Sequence, residues 1–283
     1  MNQIYLCSFA SPDLERSKIR FINQAKEIEI YKDIKVYGYN DLDINKKKQI
    51  NDFLKSNQKR LFGYASWKAF IISDFLKNLP ENSIIQYSDI GCHINQTGKK
   101  RLVEYINICN QNNFLVFQYR FPDFTDEYNF KFQKYYEYQY TKKDLSNFLK
   151  VDYGKDILET EQIWSGTFFF KKNEFSIEIL KEWENVLKYS NLIDDSPSIS
   201  KNHKDFIEHR HDQSAFSLIC KKNKIFSLSA SECEWAEYNG IRTWEHLSNF
   251  PIQAKRDKKY NIFKRFLNRQ KRKFNRIIKY LKR

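Results

Sequence analysis

The chain has 283 residues, 41% of them hydrophobic and 17% aromatic, with only seven glycines and five prolines. That composition supplies a sizeable core and excludes a long disordered protein, and the length fits one α/β domain with additions. The net charge of +14 is concentrated at one end: residues 255–283 hold 14 of the 49 Lys/Arg and one of the 35 acids, leaving 35 basic against 34 acidic residues before them. A nearly neutral body makes nucleic acid an unexpected partner for the whole protein.

Five cysteines (Cys7, Cys92, Cys109, Cys220, Cys233) are scattered without C-x-x-C spacing. They suggest neither a disulfide framework nor a zinc site and fit a reducing, cytoplasmic compartment. No stretch approaches the roughly 18 apolar residues of a transmembrane helix, and the first residues resemble a strand rather than a signal peptide.

In chain order, residues 3–10 read as a strand, 13–26 as a helix and 34–39 as a second strand, the opening unit of a doubly wound sheet. Neither G-x-G-x-x-G nor a Walker A loop is present. Residues 44–59 form a polar helix. Trp67, Phe70, Ile71, Phe75 and Leu79 then recur at helical spacing. Lys68 falls near the start of that helix, where the dipole does not favour a cation; an exposed side chain is expected, with compensation by an anion as the alternative.

The apolar run Ile84-Ile85-Gln86-Tyr87-Ser88 ends abruptly in Asp89-Ile90-Gly91. An acid at the carboxyl end of a buried strand stands where open α/β sheets bind ligands, and it suits a divalent cation or a sugar hydroxyl; a plain turn is the simpler reading. A helix over 99–112 and a strand over 114–118 follow. Residues 119–140 carry ten Tyr and Phe, suited to a core or to stacking on sugars. Thr141-Lys142-Lys143-Asp144 has capping-box spacing and predicts a helix to about residue 150. A glycine turn at Ser165-Gly166 feeds an apolar strand, residues 175–189 form an amphipathic helix, and 191–202 a loop. His209-Arg210-His211-Asp212-Gln213 opens a helix over 215–220; two histidines, an arginine, an acid and a glutamine exceed what a cap requires. A last strand covers 225–228, and 231–248 reads as a polar loop.

Several of these stretches, in order, resemble bacterial GT-A glycosyltransferases of the capsular polysaccharide and lipopolysaccharide type: Gly63-Tyr64-Ala65-Ser66-Trp67-Lys68, Ser88-Asp89-Ile90-Gly91-Cys92 as a degenerate D-x-D, Tyr140-Thr141-Lys142-Lys143-Asp144-Leu145, Ser165-Gly166, Arg210-His211-Asp212-Gln213-Ser214 and Pro251-Ile252-Gln253-Ala254-Lys255-Arg256. The resemblance implies a Rossmann-like GT-A domain with a mixed central sheet over residues 1–256. It implies a nucleotide-sugar donor, a UDP-sugar in the first instance, and a hexosyl transfer to a surface-glycan acceptor. Phe9, Ala10, Ser11, Trp67, Lys68, Asp89, Gly91, Ser165, Gly166, Lys255 and Arg256 would bind the donor. Asp212 would be the base of an inverting reaction, with His211 and Gln213 beside it. If the reaction retains configuration, the leaving phosphate can take that role and Gln162 or Gln213 can support the anomeric face. Gly91 replaces the usual second acid, so a Mn or Mg ion on Asp89 would need a further ligand such as His93, His211 or water; Lys255 and Arg256, and secondarily Lys68, are alternative counter-charges for the diphosphate.

Residues 257–283 form a separate unit. Phe263, Leu267, Gln270, Phe274, Ile277 and Leu281 follow alternating four- and three-residue steps, with Lys and Arg on the remaining faces. That pattern predicts a basic amphipathic helix suited to an anionic membrane surface, and so a peripheral location on the inner face of the plasma membrane; a helix docked on the body or on a second subunit, and a nucleic-acid arm, are the alternatives, the apolar stripe speaking against a purely electrostatic arm. The rival to a transferase is a non-catalytic membrane- or nucleic-acid-associated binding protein on a degenerate nucleotide-sugar fold. Glycoside hydrolysis lacks a convincing pair of flanking acids.

Overall fold

The computed structural model describes residues 3–55, 60–121, 130–151 and 155–255. The basic helix expected over 257–283, together with Arg256, lies outside the described residues.

A six-stranded mixed sheet forms the centre, in the order β2-β1-β3-β6-β5-β7. Its strands are β1 Ile4–Ala10, β2 Tyr31–Gly38, β3 Ile84–Ser88, β5 Phe114–Gln118, β6 Ile163–Lys171 and β7 Ser227–Ser229. β1 runs parallel to both β2 and β3, β6 runs antiparallel between β3 and β5, and β5 and β7 are parallel. Central strands covered on both faces carry unbroken apolar runs, and β1 and β3 are buried at every position. Successive residues serve opposite cores: Tyr5, Cys7, Phe9, Ile85, Tyr87, Phe168 and Phe170 face one, and Ile4, Leu6, Ile84, Leu115 and Phe169 the other.

The first core is closed by the helices Lys68–Leu76, Glu174–Val186 and His211–Lys222, the second by Ser17–Glu27 and Lys99–Asn112. The chain leaves β1 for β2 on one side and returns to β3 on the other. That reversal makes a topological switch point between β1 and β3, outside whose carboxyl ends ligands bind in open sheets. The sequence-predicted position of Asp89 is confirmed: it follows β3 directly, and its amide donates to the Gly166 carbonyl of β6 at 2.8 Å.

Four expectations change. Asp144 makes no capping box: the helix is Lys143–Phe148, Thr141 turns its hydroxyl to Glu137 at 2.6 Å, and Asp144 accepts from the amides of Ile199 and Ser200. Gly166 is not a turn before the strand but lies inside β6. Between Leu115 and Phe117 the β5 partner jumps from Phe169 to Trp164, so β6 carries extra residues across Ser165 and Gly166. A Cβ on Gly166 would lie 2.2 Å from the Trp164 indole, which restricts the position to glycine. The polar loop over 231–248 contains a hairpin, β8 Ala236–Tyr238 with β9 Ile241–Thr243. Within 191–202, Ser190–Ile193 is a helical turn. Near the end of the described chain, β10 Ile252–Gln253 pairs with β4 His93–Ile94, so the segment before Lys255 belongs to the same body as Asp89.

The approach to Lys68 is backbone-strained. Leu61, Phe62, Gly63, Tyr64 and Ala65 have φ values of 48°, 52°, 81°, 55° and 54°, and the Tyr64 and Ala65 amides reach back four residues to Arg60 and Leu61. This is a left-handed turn, which costs a residue with a Cβ roughly 1–2 kcal/mol. Such strain persists when surrounding contacts over-determine it. Phe62 packs against Phe9 and Tyr39, and Tyr64 against Phe53 and His211, its hydroxyl donating to Asp195 at 3.1 Å. Gly63 meets Ile50 at ordinary contact distance, so Gly63→Ala should destabilise the fold by about 1–2 kcal/mol through φ alone. Urea denaturation measures this, and an unchanged midpoint would show the left-handed turn is not held in solution.

Candidate active site

The left-handed turn delivers Lys68 to the first position of its helix, beneath the carboxyl edge of the sheet. Lys68 is only 3% exposed, contrary to the exposed side chain expected from the sequence. Burial is affordable because two carboxylates converge on it: Nζ lies 2.7 Å from Asp212 Oδ2 and 3.3 Å from Asp89 Oδ1. It also donates to the Ser165 carbonyl at 3.3 Å and the Ser165 hydroxyl at 3.4 Å, and lies 5.3 Å from the Tyr87 ring centre. Burial is the largest influence on the ammonium and disfavours its charge, but Asp212 and then Asp89 outweigh it, so the Lys68 pKa is raised. The amine stays protonated.

The two acids differ. Asp212 sits in the first turn of the His211–Lys222 helix and is 2% exposed. It does not cap that helix: Oδ2 takes Lys68 and, at 2.9 Å, the Ser165 hydroxyl that the β6 irregularity presents. Trp183 Nε1 holds its backbone carbonyl at 3.3 Å. Asp89 is the open acid, with a side chain 44% exposed. Its Oδ1 accepts from Tyr87 at 2.7 Å; burial and the adjacent Asp89 charge push the Tyr87 pKa up, which keeps the phenol a donor.

The other sequence-predicted residues distribute around this centre. Phe9 and Ala10 end β1, Ser11 follows it, and all three are buried; Phe9 stacks on Trp67 with centroids 3.9 Å apart, so those two faces cover each other, and Ser11 donates to Asp13. The Trp67 indole N–H is buried without a hydrogen-bond partner among the described residues. Gly91 lies two residues beyond Asp89, in the turn before β4. His211, at φ +54°, is engaged elsewhere: Nδ1 donates to the Ile193 carbonyl at 2.7 Å, and Nε2 lies 3.7 Å from Asp195. Burial lowers its pKa. His209 is held the same way by the Leu192 carbonyl, so the pair ties residues 190–195 to the helix start. Gln213 donates to Gln162 at 2.9 Å, and Gln162 leads into a buried network with Glu137, Thr141, Ser214 and Lys221. Lys255, partly exposed, follows β10. Ser165 meets Asp212 through its hydroxyl and Gly166 meets the Asp89 amide through its carbonyl; the central place of Lys68 and the hydroxyl of Tyr87 did not stand out in the sequence.

A divalent cation fits this donor set poorly. Among the described residues no three His, Cys, Asp or Glu side chains gather at one point, and the Lys68 ammonium already stands beside Asp89 Oδ1. Asp89 would be one ligand, with the remainder supplied by substrate or water.

No protein-family model matches the chain, and neither does any curated protein. Among solved structures, a glycosyltransferase involved in glycosylating the major capsid of PBCV-1 superposes with a TM-score of 0.47 at 11% identity, covering 89% of this chain and 91% of that one. Mouse xyloside xylosyltransferase 1 gives 0.39 at 11% identity, with 82% and 87% covered. The mannose-6-phosphate isomerase of Helicobacter pylori gives 0.35 at 12% identity, with 81% and 91% covered. These are likenesses of chain course; the chemistry rests on the residues above. Among the described residues, no helix is long and apolar enough to cross a membrane.

Removing the ammonium leaves Asp212 as an unpaired buried charge, so Lys68→Met should cost about 3–5 kcal/mol in equilibrium unfolding at neutral pH. Because the folded pKa of Lys68 is raised, its contribution is complete below the ordinary lysine value of about 10.4 and is lost only as pH rises through the raised one. A loss under about 1 kcal/mol would mean that the pair is solvated.

Proposed function

We propose that the protein is a glycosyltransferase that moves a hexose from a nucleotide-diphosphate sugar, a UDP-sugar in the first instance, to the acceptor of a bacterial surface glycan of the capsule or lipopolysaccharide kind. The observation that carries this reading is the buried Lys68 ammonium holding Asp89 and Asp212 together outside the β1/β3 switch point.

In this reading the donor lies over the ends of β1 and β3. Asp89, half in solvent, accepts from its ribose or sugar hydroxyls. Lys68 pairs with Asp212 and orients it through Oδ2, leaving Oδ1 without a hydrogen bond among the described residues. An acceptor hydroxyl attacks the anomeric carbon, the bond from that carbon to the phosphate oxygen breaks with its electron pair going to the diphosphate, and the hydroxyl proton passes to Asp212 Oδ1. Two carboxylates and one ammonium leave the centre with a formal surplus of one negative charge, so the diphosphate needs cations from outside it; Lys255 and Arg256 are the proposed source.

Binding of UDP, GDP and CMP sugars, measured calorimetrically with and without Mn²⁺ or Mg²⁺, should single out one nucleotide with saturable affinity; indifference to all of them would overturn the transferase. With that donor, Asp212→Asn should lower turnover at least about a hundredfold while melting cooperatively. Near-normal turnover would remove Asp212 as the base.

A further inference from the structure

Arg210, two residues before Asp212, has no role in the site described above, and its setting is unusual. It stands at the N-terminal end of the His211–Lys222 helix, where the helix dipole disfavours a cation. No carboxylate among the described residues lies within ion-pair distance of it. Of the two acids two positions away in sequence, Asp212 is taken by Lys68 at 2.7 Å and Glu208 faces Arg60 at 3.5 Å. The guanidinium is held by aromatic faces: its carbon lies 3.6 Å from the Tyr135 ring centre and 4.6 Å from that of Tyr140. Its Nε is buried without a hydrogen-bond partner among the described residues. The backbone is fixed, the Arg210 amide donating to the Tyr140 carbonyl at 3.2 Å and to the Ser214 hydroxyl at 3.1 Å. Two rings thus orient a planar fork of N–H donors that no acid among the described residues neutralises, an arrangement suited to a carboxylate or phosphate.

The sheet order says which substrate would bring that anion. Phe9, Trp67 and Asp89 belong to the β1/β3 half, where the donor is proposed to lie. Tyr135 is on the other half, against the end of β5: its carbonyl accepts from the Gln162 amide at 2.6 Å, and its ring meets Tyr119 edge-on at 4.7 Å. The aromatic band continues through Phe121 to Phe132, whose rings stack at 4.4 Å. Aromatic faces beside a hydrogen-bonding cation recognise a sugar that carries an acid.

We propose that Arg210 is a specificity residue for the acceptor, and that the acceptor sugar carries an oxyanion, a carboxylate or a phosphate ester, held by the guanidinium between Tyr135 and Tyr140. The proposal rests on the glycosyltransferase reading for the word acceptor; the anion subsite itself is tested separately from it.

The test measures affinities of the full chain for methyl β-D-glucuronide, glucose 6-phosphate and methyl β-D-glucoside by ligand-observed NMR, and for UDP by calorimetry. Wild type should bind the glucuronide or the phosphate at least about tenfold tighter than the glucoside, as a charge-assisted hydrogen-bond pair gives. Which of the two is preferred identifies the acid. Arg210→Gln should abolish that preference, Arg210→Lys should keep part of it, and both should leave UDP affinity within about twofold of wild type. Equal wild-type affinity for charged and neutral sugars, or no binding of any of them at millimolar concentration, overturns the proposal even if the variants fail to fold. A preference that survives Arg210→Gln overturns it too, and an equal loss of UDP and glucuronide affinity would place Arg210 on the donor side. Failure of wild type to bind any nucleotide sugar would instead overturn the transferase reading and leave the sugar-acid preference standing or falling by its own measurement.

Discussion

The site depends on one electrostatic constraint: an ammonium out of water must keep its anions. Lys68 is buried, and its charge is tolerable only because Asp212 and Asp89 approach it from opposite elements. Each partner is positioned by a different part of the chain. Asp89 comes off the end of β3, Asp212 from the first turn of a helix packed on β6, and Ser165 from an irregular stretch of β6 itself. The ammonium therefore ties together a strand end, a helix start and a strained loop that are far apart in sequence, at the sheet edge where the strand order reverses.

The strained turn and the buried histidines serve the same end. A left-handed run of five residues is an expensive way to enter a helix, and the contacts that enforce it reach the site from the side. Tyr64 bridges to Asp195 and packs on His211, Arg60 reaches Asp195 and Glu208, and His209 and His211 grip the carbonyls of Leu192 and Ile193. The segment before Lys68 and the segment before Asp212 are thereby joined through residues 190–195. His211 thus contributes to the frame of the site through the Ile193 carbonyl and the Tyr64 ring.

Much of the framework was legible because it is local. The helix over 99–112 and the strand over 114–118 follow from periodicity and appear with those bounds, and Asp89 was readable from an apolar run ending in an acid. Asp212 stood out as part of a polar cluster larger than a cap needs. What was not legible depends on pairing at long range. Nothing beside Lys68 in the sequence announces its partners, 21 and 144 positions away, so helix-end electrostatics pointed to an exposed side chain. The left-handed turn contains one glycine among five residues, too weak a signal for a conformation imposed by neighbours. Thr141 and Asp144 have capping-box spacing but are drawn off by Glu137 and by the amides of Ile199 and Ser200. Gly166 looks like a turn glycine until the Trp164 ring is seen against it.

The claim that one buried lysine organises the site is tested most directly by a double-mutant cycle on folding stability at neutral pH, combining Lys68→Met with Asp212→Asn. Groups that share a buried ion pair are strongly non-additive, because removing either partner alone leaves the other charge exposed to the low-dielectric interior. The account predicts that the double variant is more stable than the sum of the two single losses requires by about 2–3 kcal/mol, within the range measured for directly interacting residues. Losses that add to within about 0.5 kcal/mol would contradict it, and would mean that Lys68 and Asp212 are independent of each other in the folded protein.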